Sequence, residues 1–130
     1  MAVPTSSITV NDGAATPVAQ TFSITDRTGL VSTFRNVASA LIRGAQNFVH
    51  EVRLGKTPTA ANRVLMSLTC PVEGTVDGQT VVLRSSLFRA ECNFSPESPE
   101  AERLTHLVLF SNLLAQADVK LATHKGISLG

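Results

Sequence analysis

Tryptophan and tyrosine are absent from the 130 residues, and phenylalanine supplies all six aromatics. Proteins that read single-stranded nucleic acid by base stacking rely on exposed aromatic faces. Here the phenylalanines of the later strands fall on apolar strand faces, which weighs against such a module. A strong charge of either sign is also missing: the formal net charge is +1. That gives no bulk electrostatic pull toward nucleic acid or membrane. No apolar run reaches the roughly 18 residues of a membrane helix, and no basic-then-apolar leader is present, so the chain reads as soluble and unexported. The two cysteines, Cys70 and Cys92, lack metal-site spacing. Repeats and low-complexity tracts do not stand out. What is left is one domain, residues 1–130, long enough to bury roughly two thirds of its unfolded surface.

The most informative stretch is Pro99 to Ala117. Ser98 suits an N-cap and Pro99 a first helical position. Glu100 and Glu102 place negative charge where the helix dipole favours it. From Leu107 onward nearly every residue is apolar, covering an arc of roughly 260° where a one-faced helix needs little more than 100°. Such a helix needs cover from more than one side, and at about 17 residues it is too short for a membrane span.

Ahead of it the sequence reads as strands. Ser7 to Val10 is β-prone, Asn11-Asp12-Gly13 signals a tight turn, and Val18 to Ile24 returns. Asp26-Arg27-Thr28-Gly29 turns the chain. Leu30 to Val37 reads as a strand, and Ala38 to Arg43 fits strand or helix. Asn47 to Leu54 alternates, with Phe48, Val52 and Leu54 opposite Asn47, Val49, Glu51 and Arg53. Arg63 to Cys70 alternates again and Pro71 ends it. Val72 to Thr80 reads as a loop with turn residues Gly74 and Asp77-Gly78. Val81 to Phe94 is the longest strand, and Asp118 to His124 a short second helix stopped by Gly126.

Strands first and helices last is an α+β order, with an antiparallel sheet and helices on one face. One open sheet leaves most of the apolar helix bare. A second copy of the chain would cover it, giving a homodimer. Folding of the N-terminal strands over the helix is the alternative.

In their order, these motifs resemble the coat proteins of single-stranded RNA bacteriophages, the leviviruses. The resemblance runs through Val10-Asn11-Asp12-Gly13, Val49-His50-Glu51-Val52-Arg53, Asn62-Arg63-Val64, the strand closed by Pro71, the glycine-containing loop, the long strand and Ser98-Pro99-Glu100-Ala101 before the helix. It implies an N-terminal β-hairpin, a five-stranded antiparallel sheet and two C-terminal helices. It also implies intertwined homodimers whose helices cross the partner sheet. Such dimers would build a T=3 icosahedral shell with the polar sheet face turned inward to genomic single-stranded RNA. The implied place is the virion, assembled in the bacterial host cytoplasm.

Alternation by itself puts Arg53, Arg63, Ser67, Thr69, Arg89 and Asn93 on the polar face, and arginines suit phosphates. An ordinary solvated face accounts for the same residues, and Glu51 and Glu91 dilute its charge. The resemblance implies RNA contact, by strand and face, at Val49, Glu51, Arg53, Arg63, Leu65, Ser67, Arg89, Glu91 and Asn93. Glu51 and Leu65 depart from the small polar or basic residues expected of an operator pocket. Arg43, Lys56 and Arg84 lie near loops and are candidate phosphate contacts or simply solubilising charges. The dimer interface is expected at Leu104, Leu107, Val108, Leu109, Phe110, Leu113 and Leu114. The stretch Pro71 to Arg84 resembles the family's loop between dimers, with Val72, Glu73, Gly74, Thr75, Val76, Asp77, Gly78 and Gln79 at its centre.

Other motifs carry little. Gly55-Lys56-Thr57 mimics the end of a P-loop, but the required first glycine falls at His50. Asn93-Phe94-Ser95 is a formal glycosylation sequon with no role in a bacterial cytoplasm. His50, His106 and His124 lie apart, and His50 falls on an apolar strand face. Neither a Ser/His/Asp nor a Cys/His set has support. Cys70 and Cys92 are expected to be free buried thiols. The expectation is therefore a non-enzymatic capsid subunit binding itself and genomic RNA, with no cofactor, metal, membrane or small-molecule substrate. The competing reading is a dimeric single-strand RNA-binding module that never assembles.

Overall fold

A computed structural model describes residues 7–13, 15–38, 44–57 and 59–130. Six strands precede two helices: β1 Ser7–Asn11, β2 Ala19–Thr28, β3 Val31–Asn36, β4 Asn47–Arg53, β5 Asn62–Val76, β6 Gln79–Phe94, α1 Glu100–Ala115 and α2 Ala117–Lys125. The strands form one sheet in the order β1-β2-β3-β4-β5-β6. The four pairings from β1 to β5 are antiparallel. The expected α+β order is therefore present. The N-terminal hairpin does not stand apart from a five-stranded sheet: β2 pairs with β3 from Phe22↔Asn36 onward, so the hairpin continues the ladder. The chain divides into two compact units, Met1–Asn93 and Phe94–Gly130.

Register sorts the first unit into two faces. Ile24, Phe34, Phe48 and Leu68 form one row across β2 to β5, with Ser32, His50 and Met66 beside it. Phe22 and Phe34 are buried on this apolar face, and the Phe34 and Phe48 rings lie 6.1 Å apart. Ile8, Val10, Phe22, Phe48 and Leu68 line an apolar groove of about 230 Å³. The buried Asn36 is fully engaged. Its Nδ2 donates to Gln20 Oε1 and Gln46 Oε1, both at 3.0 Å, and its Oδ1 accepts from Ala38 N–H at 2.9 Å. That satisfies a polar group that would otherwise be costly to bury.

Several connections differ from the sequence reading. The expected tight turn at Asn11-Asp12-Gly13 is replaced by a longer connection between Asn11, where β1 ends, and Ala19, where β2 begins, tied together by Asp12. Its carboxylate accepts from Val18 N–H and from Gln20 Nε2, each at 3.1 Å. The turn expected at Asp26–Gly29 is the end of β2, which bulges between Ile24 and Asp26 and turns only at Gly29. Of the stretch Ala38 to Arg43, which fits strand or helix by sequence, residues 39–43 lie outside the described residues.

The largest difference concerns the expected loop Val72–Thr80. Strand β5 runs through Pro71 to Val76, and β6 begins at Gln79. Only Asp77 and Gly78 turn the chain, with φ of 51° and 76°. Both residues at positive φ make a primed hairpin turn, whose twist matches the strands it joins. Proline is tolerated in β5 because the ladder with β4 ends at Asn47↔Thr69, two residues before it.

In the second unit, Pro99 rather than Ser98 is the N-cap of α1, without a side-chain hydrogen bond. The Ser98 hydroxyl instead donates to Ser95 C=O at 2.6 Å. The Arg103 guanidinium stacks over the Phe94 ring at 5.7 Å. Gln116 closes α1 and caps α2, accepting from Val119 N–H at 2.9 Å. Gly126, at φ 67°, ends α2 as expected. None of the residues of α1 is buried. No helix of the described residues is long and apolar enough to cross a membrane.

Candidate nucleic-acid interface

The polar face of the sheet is built by the register itself. A row of Ser23, Arg35, Asn47 and Thr69 crosses β2 to β5. The next rows along are Thr33, Val49 and Ser67, then Val31, Glu51 and Leu65, then Arg53 and Arg63. The structure thus brings together Val49, Glu51, Arg53, Arg63, Leu65, Ser67 and Thr69 on one surface. Arg63 also reaches β6: its Nε donates to Asn93 Oδ1 at 3.1 Å and pairs with Glu91 Oε1 at 2.9 Å. Asn93 Nδ2 lies 3.4 Å from the same Glu91 oxygen. Glu91 and Asn93 therefore join the face. Arg89, two residues before Glu91 on β6, is exposed.

Arg35 belongs to this surface and was not singled out by sequence reading. The available signal was its alternation with Thr33 and Val31 along β3. Lys56 is exposed in the 54–61 connection, which is held by Gly55 N–H donating to Asn62 Oδ1 at 2.9 Å. Arg43 lies outside the described residues.

Two of the arginines of this face are paired with carboxylates. Arg53 Nε donates to Glu51 Oε1 at 2.9 Å. That hydrogen bond and the Glu51 charge push the Arg53 pKa up from its ordinary value. Among the described residues no group of three or more His, Cys, Asp or Glu could hold a metal ion. His50 sits between Ser32 and Met66 on the apolar face. Cys70 and Cys92 are free and half-buried, and burial raises the Cys70 thiol pKa.

A second surface lies on α1. Leu104, Leu107, Val108, Leu109, Phe110, Leu113 and Leu114 are all exposed, by 42% to 60%. Apolar residues this open, contiguous on one helix, mark an interaction surface. The residues expected to join dimers, Val72, Glu73, Gly74, Thr75, Val76, Asp77, Gly78 and Gln79, make up the tip of the β5–β6 hairpin.

Comparison with known proteins bears on both surfaces. No curated protein matches the chain by sequence. Solved structures do match it. A virus-like particle of Beihai levi-like virus 21 superposes with a TM-score of 0.89 at 19% identity, covering 98% of this chain and 99% of that one. A virus-like particle of bacteriophage NT-214 gives 0.85 at 20% identity, over 98% and 100%. The bacteriophage GA protein capsid gives 0.74 at 13% identity, over 95% of each chain. At such identities these likenesses establish the fold. The sequence profile described as levivirus coat protein matches residues 4–125, which span the sheet and both helices. With fold and sequence profile in agreement over almost its whole length, the chain belongs to the levivirus coat protein family.

Proposed function

We propose that this chain forms homodimers that assemble into a T=3 icosahedral shell around genomic single-stranded RNA, in the cytoplasm of a bacterial host. The observation that carries this reading is α1, a helix rich in leucine with no buried residue. A helix of this kind is stable in water only when covered. A second copy of the chain supplies two apolar surfaces for the purpose, its own α1 and its apolar sheet face. The two units then act as one coat domain in which the helices cross the partner sheet. Family membership and the virus-like particles among the structural relatives support the step from dimer to shell.

The apolar face being used for dimerisation, the polar face is left for RNA. Arg53, Arg63 and Arg89 supply phosphate ligands, with Arg35 and Lys56 at the margins. Ser67, Thr69 and Asn93 supply neutral hydrogen bonds. Translational repression through an operator hairpin would use the same rows. Glu51 and Leu65 at their centre favour general RNA contact over a selective operator pocket. The tip of the β5–β6 hairpin is the contact between dimers.

Electron microscopy of the purified chain, with extraction of any enclosed RNA, tests the reading. Closed particles containing RNA are expected. Dimers that bind RNA and never form particles would establish the non-assembling module instead.

A further inference from the structure

Arg53 and Arg63 are direct cross-strand partners, a like-charged pair that repels in a sheet. Each is met by a carboxylate at 2.9 Å, Arg53 by Glu51 and Arg63 by Glu91. The charge of Glu91 acts on Arg53 as well. These four side chains form a cluster of zero net charge across β4, β5 and β6. They are open to solvent: 56% and 48% exposed for the arginines, 29% and 43% for the glutamates. Exposed pairs of this kind are weak and readily exchanged. Phosphate presents the guanidinium with oxygens in the same forked geometry as a carboxylate. Arg89 makes no ion pair among the described residues.

We propose that Glu51 and Glu91 are built-in competitors for RNA, occupying Arg53 and Arg63 until phosphates of a single strand displace them. The inference rests on the RNA-facing reading of this surface given above. It makes the face a throttled binder. A lone dimer meets RNA first through Arg89 and neutral hydrogen bonds, and holds it weakly. In a shell, many copies surround one RNA, and the small gain per copy adds up because each further contact is intramolecular. Free dimers are thereby kept from coating RNA before assembly.

The test measures anisotropy of a labelled polyuridylate oligonucleotide titrated with the full chain over a salt series. The variant is Glu51→Gln with Glu91→Gln, which keeps shape and removes charge. Binding is expected to tighten at every salt concentration. The log–log salt slope should steepen by up to roughly 1.4, since each phosphate contact on a single strand adds about 0.7. Unchanged or weaker binding overturns the proposal, because carboxylates that merely orient the arginines would lose affinity when neutralised. If the double variant does not fold by circular dichroism, Glu51→Gln alone decides in the same direction, since it frees Arg53 while Glu91 still offsets the repulsion between the two arginines. Arg53→Ala, Arg63→Ala and Arg89→Ala combined separate the two levels of inference. If they leave binding unchanged, the RNA-facing reading fails and takes the competitor with it. If they weaken binding while the glutamine variant does nothing, only the competitor fails.

Discussion

Leu109→Ala tests the role of α1 quantitatively. Leu109 is 57% exposed. Burying a fully exposed leucine side chain contributes about 1.5–3 kcal/mol. Covering the open part of this one therefore contributes about 0.9–1.7 kcal/mol. In a symmetric dimer the substitution counts twice, for about 2–3 kcal/mol, and a residual cavity adds to it. At 1.4 kcal/mol per decade this weakens the dimer dissociation constant roughly 30- to 150-fold. Leu109→Asp goes further, because a buried carboxylate has no partner there. Sedimentation velocity over a concentration series reads the dissociation constant, and circular dichroism reads helix content. Glu102→Gln, in the exposed first turn, is the matched control and should leave the dissociation constant unchanged. A dissociation constant for Leu109→Ala within roughly twofold of the unmodified chain would refute the role of α1, since the expected loss is at least tenfold larger. So would an unmodified chain that sediments as a stable, folded monomer.

Three further outcomes are expected. Removing residues 75–76 and 79–80 while keeping the Asp77-Gly78 turn should leave folded dimers but fragile, resized or absent particles; normal particles of normal thermal stability would show that the tip is not an assembly contact. Gly78→Ala places a side chain at φ 76° and should cost about 1–2 kcal/mol, lowering the melting temperature by roughly 5 °C; an unchanged melting curve would contradict the turn. Burial raises the Cys70 thiol pKa, so the folded chain holds it neutral. Its contribution to stability should be complete below the ordinary thiol range and fade as pH rises through the raised value, seen as an alkaline fall in denaturation midpoint that Cys70→Ser abolishes.

Much of the sheet was legible because alternation is a direct signal. In Asn47–Leu54 and Arg63–Cys70 most side chains fall on the face that their residue type requests, with Val49, Leu65 and His50 the exceptions, so the face assignments follow from spacing two. The hairpin tip was misread because proline and glycine punctuate it. Pro71 reads as a stop, yet the β4 ladder has already ended there, so its missing N–H leaves no rung of that ladder broken. Asp12 illustrates the opposite failure. Asn-Asp-Gly is a strong local turn signal, but the Asp12 carboxylate bonds forward to Val18 and Gln20 and ties together a longer connection. Ser98 was a plausible cap until its hydroxyl turned back to Ser95. Arg35 is hard to place from sequence because polar and apolar residues occur on both faces of β3, Val31, Thr33 and Arg35 against Ser32, Phe34 and Asn36. Glu51 and Arg53 stand two apart on β4, whereas the Glu91–Arg63 ion pair depends on side-chain reach from β6 to β5, which no spacing rule supplies.

The strictly sequential strand order has a kinetic consequence. In a meander every pairing joins neighbours in the chain, so loop closure is short and folding is fast for a β-rich protein. During synthesis the sheet can zip hairpin by hairpin as each turn emerges, before α1 has been made. The helices that follow carry exposed apolar residues that their own chain leaves open. On the proposed dimer, maturation separates into a quick unimolecular phase for the sheet and a slower bimolecular phase for the helices. Under that proposal the second phase scales with how many copies a ribosome cluster has released nearby, and the pace of shell building would follow local translation rate rather than the difficulty of folding.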